Sequence, residues 1–153
     1  MGYQIICTNP KCKQLTWANN IIDLIEKHTD ERGRIKCTEC GSANAHVFKE
    51  SRLQEKGETW RRYIRGVITI KTEYKTYTPY IFLTSQTETG EIDGIHFNYY
   101  KDTRRKKGGR LKHGHGPGGA PVLTKDELFQ LLKKLINYGC LTKKEIQDFL
   151  TGV

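Results

Sequence analysis

The sequence predicts an α+β protein in three parts, and three observations carry that prediction. Two close pairs of cysteines bracket a helical pattern near the N-terminus, branched and aromatic residues alternate through the middle, and two helix-capping signatures follow each other at the C-terminus. A chain of 153 residues can hold one ordinary core, or a small metal module attached to a domain of about 100 residues.

The first part rests on Cys7, Cys12, Cys37 and Cys40. Four residues separate the first pair, two the second, and 24 lie between the pairs. A short turn of backbone can aim two sulfurs at one ion, and a second such claw completes a tetrahedral shell, so the spacing reads as one structural Zn2+ site. Two disulfides or an iron centre would use the same residues. However, the chain shows no charged-then-apolar leader, and its expected setting is a reducing cytoplasm, where thiolates stay available to metal. With sulfur at every tetrahedral position there is no place for a catalytic water, which marks a scaffold.

Cys7-Thr8-Asn9-Pro10-Lys11-Cys12 and Cys37-Thr38-Glu39-Cys40-Gly41 together resemble the two knuckles of a zinc ribbon. The Cys-x-Asn-Pro-x-Cys half is similar to a knuckle of bacterial NAD-dependent DNA ligases and of the zinc-ribbon modules of type IA topoisomerases. The resemblance covers roughly residues 1–45 and implies a module that binds nucleic acid or docks a neighbouring protein. The two claws stand in the reverse order to the ligase's, and no nucleotidyl-transfer or strand-cleaving machinery accompanies them, so neither enzymatic activity is implied.

Between the knuckles Ile21, Leu24, Ile25 and His28 keep the spacing of one helical face, with Asp23, Glu26 and Lys27 on the other. A helix is therefore expected as an insert in the ribbon. His28 ends the apolar stripe and reads as packing or capping more readily than as a further ligand, and Trp17 is expected to cover the same core.

The middle part begins after the polar stretch from Ser51 to Glu58. Arg61 to Thr72 alternates, with Ile64, Ile68 and Ile70 on one face and Tyr63, Arg65, Val67 and Thr69 on the other. Tyr80 to Thr84 reads as a second strand, and Glu88-Thr89-Gly90-Glu91 as a turn into a third, Ile92 to Tyr100. Short connections make the three an antiparallel meander. In the third strand Ile95, Phe97 and Tyr99 are expected in the core, and His96, Asn98 and Tyr100 on an open face.

Charge is concentrated just beyond. Of the net +9, residues 101–122 carry +6: Lys101, Arg104, Arg105, Lys106, Lys107, Arg110 and Lys112 face Asp102 alone. Such a stripe makes a local positive potential that attracts polyanions. Glycine crowds the stretch from Lys107 to Pro121, which predicts a long mobile loop whose amides can approach phosphate, or else a linker that happens to be basic. No Walker-type phosphate loop is present. His113 and His115 fit phosphate hydrogen bonding; as a second metal site they lack a nearby Asp, Glu or Cys. Tyr99, Tyr100 or Trp60 beside these cations supply the rings on which unpaired bases stack.

In the third part Thr124 and Glu127 form a capping box, Leu123 and Leu128 a hydrophobic staple, and Leu128, Leu131, Leu132, Leu135 and Ile136 one helical face stopped at Gly139. Thr142 with Glu145 starts a second helix, whose Ile146, Phe149 and Leu150 are expected to point inward. The pair reads as a helical hairpin packed on the sheet, with Cys140 a small residue in its turn.

The expected organisation is a zinc-ribbon module over residues 1–50 and a sheet-plus-hairpin unit over 59–153, with a basic glycine-rich loop at 101–122. The expected function is non-catalytic binding of nucleic acid, DNA or RNA, single-stranded rather than duplex. Two other classes stay open. A metal-independent nuclease or phosphotransferase would use His96, His113 or His115 as acid and base. A protein-docking adaptor would use the ribbon or the C-terminal helices. No apolar run reaches the ~20 residues that span a bilayer, so no membrane partner is expected.

Overall fold

Seven stretches of alternating apolar and polar residues become strands in the computed structural model, which describes residues 2–43, 45–51, 60–115 and 120–152. In chain order the elements are β1 (Tyr3–Cys7), β2 (Leu15–Ala18), α1 (Ile21–Lys27), β3 (Ala45–Ser51), β4 (Trp60–Thr69), β5 (Tyr77–Ser85), β6 (Gly94–Asp102), β7 (Leu111–His115), α2 (Lys125–Tyr138) and α3 (Lys143–Thr151). The class is α+β, with a helix inserted in the N-terminal region and a helical pair at the C-terminus. The polar stretch around residues 52–59 lies outside the described residues, as do residues 116–119 of the glycine-rich segment.

One sheet runs β2-β1-β3-β4-β5-β6-β7, with every neighbouring pair antiparallel. The three strands expected from sequence are β4, β5 and β6. They do follow one another antiparallel, but inside this larger sheet, with β1–β3 on one side and β7 on the other. The sheet is curled. The ring centroids of Tyr3 on β1 and Phe82 on β5 lie 6.2 Å apart, although three strand spacings, about 14 Å, would separate these strands if flat.

Both faces of the sheet are buried, each by a different partner. Inside the curl Ile5, Val47, Ile64, Val67, Tyr80 and Phe82 pack with Ile21 and Leu24 of α1, and Cys7 and Cys37 join their rim. On the opposite face Ile68, Ile70, Ile81 and Leu83 pack under Leu131 and Leu135 of α2. The expected grouping of Ile64 with Ile68 and Ile70 is therefore corrected. The register shifts between Ile64 and Gly66, and this bulge turns Val67 to the face of Ile64 and sends Ile68 and Ile70 to the other. At Gly66 a Cβ would stand 2.5 Å from Cε2 of Tyr138, so the absence of a side chain lets α2 close down there. The Tyr138 hydroxyl donates to the Arg65 carbonyl at 3.0 Å across the same point.

The expected faces of the third strand are reversed. Asn98 is 4% exposed and Tyr100 packs against the inner core, while Ile95 and Phe97 are 42% and 44% exposed. Phe97 and Ile95 neighbour Ile81 and Leu83 in the ladder, so they lie on the face of α2 but beyond its cover. The segment read as a long loop is also corrected over its described part. β6 extends to Asp102, a turn occupies residues 103–110, and Leu111–His115 returns as β7. Gly114 has a packing reason: a Cβ there would stand 2.0 Å from Cε1 of Tyr99, whose ring lies over it.

The helices start where their caps predict. The Asn20 side chain accepts from the amides of Ile22 and Asp23 at 3.0 and 3.1 Å, and His28 caps the other end of α1. α2 and α3 carry reciprocal capping boxes at Thr124/Glu127 and Thr142/Glu145, and Gly139 closes α2 in the left-handed conformation at φ 96°. α3 differs from expectation, since it has no buried residue and Phe149 and Leu150 are mostly exposed. Trp17 likewise faces outward at 61% exposure instead of covering the core. Among the described residues no helix is long and apolar enough to cross a membrane.

Candidate metal centre and basic hairpin

Two chain reversals bring the four predicted thiols together. In the first, Asn9 is the organising residue: its carbonyl accepts from the amides of Cys12 and Lys13 at 2.9 and 3.0 Å, and its Oδ1 accepts from the Lys11 amide at 3.1 Å. In the second, the Gly41 amide donates to the Cys37 carbonyl at 2.9 Å and the Cys37 amide to the Ser42 carbonyl at 2.8 Å. β1 delivers Cys7 and α1 spans the distance to Cys37, so the insert between the knuckles also positions the second claw.

The sulfurs of Cys7 and Cys40 lie 3.6 Å apart, those of Cys12 and Cys37 3.9 Å, and all four fall within 4.8 Å of one another. Zn–S bonds of about 2.3 Å arranged tetrahedrally require S···S edges of about 3.8 Å. The cluster is thus able to chelate a single metal ion, and its geometry and all-sulfur donor set are consistent with a zinc-binding module. Burial pushes the Cys7 thiol up to about 12, whereas the Ser42 amide holds Cys40 down at about 7. Asn9 donates its Nδ2 to the Cys40 sulfur at 3.8 Å, tying the first knuckle to the second. The sequence reading missed this role, although Asn9 sits inside the motif that drew attention.

His28 is not part of the cluster. It is 5% exposed at the end of α1, its buried Nδ1 has no hydrogen-bond partner, and burial lowers its pKa. Cys140 lies half-buried against the α2 core, as its turn position suggested.

The predicted cations gather on the β6–β7 hairpin. Its turn is closed by the Thr103 amide donating to the Arg110 carbonyl and the Arg110 amide donating to Thr103 Oγ1, each at 3.1 Å. Arg104 is spent on Asp102, with Nε to Oδ1 and Nη2 to Oδ2 both at 3.0 Å, and this pairing lowers the Asp102 carboxyl. Lys101, Arg105, Lys106, Lys107, Arg110 and Lys112 are exposed and make no ion pair among the described residues. Arg104 is also within electrostatic reach of Glu26 on α1, so the hairpin tip neighbours the helix that links the knuckles.

The other predicted contacts divide between the two faces. Tyr99 and Lys101 share a face with Lys112 and Gly114 across the ladder; Tyr100 shares the other with His113, and there Tyr100 packs against the inner core while His113 is exposed. Tyr99 is backed by Tyr77 at 5.2 Å between centroids. His96 and His113 lie four ladder positions apart, about 13 Å along the strand. His115 pairs with Asn98 through the backbone, and the side chains of His115 and Trp60 lie outside the described residues. Sequence reading passed over Tyr74, which is 71% exposed in the connection from β4 to β5. An isolated aromatic in a short polar connection was the available signal.

No family profile, curated protein or solved structure matches this chain. The likeness of its knuckles to those of ligases and topoisomerases is one of motif, and the four-sulfur cluster is the feature that defines its class: a protein with a metal-chelating module on an α+β fold.

Proposed function

We propose that the protein is a non-catalytic nucleic-acid-binding protein in which one structural zinc ion fixes the N-terminal module and the β6–β7 hairpin holds the phosphates. One observation carries this reading: Lys101 and Lys112 on the strands and Arg105, Lys106, Lys107 and Arg110 in the turn are exposed on a single hairpin whose sole acid, Asp102, is already paired to Arg104. A hydrogen-bonded hairpin restricts the spacing of its cations, so less entropy is lost on binding a polyanion than with a slack loop of the same composition. Arg104 contributes field rather than a free hydrogen-bond fork, and His113, exposed at the same ribbon, adds a ring that can donate to phosphate. The hairpin extends the sheet from β5, and the four-cysteine module lies at the other end of the strand order.

Titration of a fluorescent 12-nucleotide single strand at several salt concentrations tests the reading. With about five phosphates neutralised, the slope of log affinity against log salt should be about −3.5. Replacing Arg105, Lys106 and Lys107 together by Gln should flatten it by about 2 and weaken binding at least tenfold. Equal affinity of the wild type and the triple variant at low salt would overturn the assignment.

A further inference from the structure

A cavity of about 490 Å3 opens beside the turn end of the β6–β7 ladder, bordered by Tyr74, Thr76, Tyr77, Lys101, Val122 and Glu127. Its volume falls in the range of small-molecule sites, about 300–1,000 Å3. We propose that it receives one unstacked nucleobase of a bound single strand, so that the protein reads bases as well as phosphates. This rests on the nucleic-acid reading above and deepens it.

The ladder places the required chemistry in one row. Tyr77, Lys101 and Lys112 lie abreast on β5, β6 and β7, two strand spacings or about 10 Å from first to last. A backbone that follows Lys112 and Lys101 down from the hairpin tip passes the cavity mouth, and a base turned inward from it meets two aromatic rings. Tyr74, mostly exposed, supplies an accessible ring face. Tyr77 is a fixed wall, because its ring is backed by Tyr99 at 5.2 Å between centroids.

Charge decides what enters. Glu127 lines the cavity and its charge repels phosphate, while Oε1, the oxygen not taken by the Thr124 amide, can accept a hydrogen bond from an N–H group on a base edge. Lys101 is the cation of the lining and Glu127 its acid, with the other cations further along the hairpin. That distribution suits a neutral base with donor groups attached to an anionic backbone, and it disfavours a free phosphate or an acidic peptide as the occupant of the cavity.

The test uses the full chain, loaded with zinc, and three labelled probes in DNA and RNA versions: a 12-nucleotide single strand, the same sugar–phosphate strand without bases, and a 12-base-pair duplex. The wild type should bind the single strand about tenfold more tightly than the base-free strand, the scale of one stacked base. Tyr74→Ala should remove most of that difference while leaving base-free affinity unchanged, and Tyr74→Phe should keep it. Equal affinity of the wild type for the two strands, a preference undiminished in Tyr74→Ala, or tighter binding to duplex would each overturn the base pocket. Those outcomes leave the phosphate-binding hairpin standing if base-free affinity still falls in the triple-Gln variant. Failure of all three probes to bind would overturn both readings.

Discussion

The two faces of this sheet are closed by different means, and the contrast shows how locally a metal can act. The inner face is covered by α1, a helix of seven residues that is too short to persist alone, and the chain on either side of it meets at a four-sulfur cluster able to chelate one metal ion. The opposite face is covered by α2, which has 14 residues, a capping box and a glycine stop, and needs no ion. One face depends on a helix whose flanks meet at a cluster able to chelate a metal ion, the other on local sequence preference.

Removing the metal strikes the contrast hardest. Cys37→Ser, or chelation of the wild type, should abolish stoichiometric zinc and cost several kcal/mol on the inner face, given how much of the folding free energy a structural zinc supplies. Hydrogen exchange should then rise across residues 21–37 and 45–48 while residues 77–83 and 131–138 keep their protection. Simultaneous loss on both faces would mean that they form a single cooperative unit.

Core truncations sharpen the point. Leu135→Ala should cost about 2–5 kcal/mol in urea denaturation whether or not zinc is bound. Leu24→Ala should cost about as much in the loaded protein and far less after chelation, because its pocket no longer exists there. A smaller effect is expected at the point where the faces meet: Gly66→Ala drives a Cβ toward the Tyr138 ring and should cost about 1–3 kcal/mol, much of it recovered in the double variant with Tyr138→Ala.

His46 probes the balance with protons. It is fully buried on β3, neither ring nitrogen has a hydrogen-bond partner, and burial lowers its pKa. The unfolded chain therefore binds this proton more readily, and stability should be full above pH about 6.5 and decline as pH falls below it toward the depressed folded value. His46→Leu should flatten that decline and gain about 1 kcal/mol at neutral pH by removing an unsatisfied group, as thermal unfolding between pH 5 and 8 would show. The smallest contrast lies in the caps. Thr124→Ala should cost about 1 kcal/mol, and Thr142→Ala much less, because α3 buries nothing that would transmit the loss.

What could be read from the sequence was whatever is encoded within a few residues. The thiol claws, the capping boxes at Thr124 and Thr142 and the strands over β4–β6 depend on spacings that the chain itself carries. The faces of β6 do not: alternation divides Ile95 and Phe97 from Asn98 and Tyr100, but only the neighbouring strands and α2 decide which set is covered. Apolar character pointed the wrong way because this sheet buries both sides. The bulge had a visible sign in Gly66, a lone glycine within a strand pattern, and β7 had one in the alternation of Leu111, His113 and His115. Glycine content hid the latter, since the need for Gly114 comes from a tyrosine fifteen residues earlier. In the metal centre the ligands were legible, and the Asn9 bond to Cys40 was not, because it joins residues 31 positions apart.

The strand order carries a consequence for how the molecule comes together. β1 and β2 pair first in sequence, β3 joins the free margin of β1, and each later strand joins the one before it, so none has to slip between partners already zipped. All four sulfurs have emerged by residue 40, before most of the sheet is synthesised. An ion bound there would seed a template that the growing polypeptide extends rung by rung, with α2 arriving later to seal the second side.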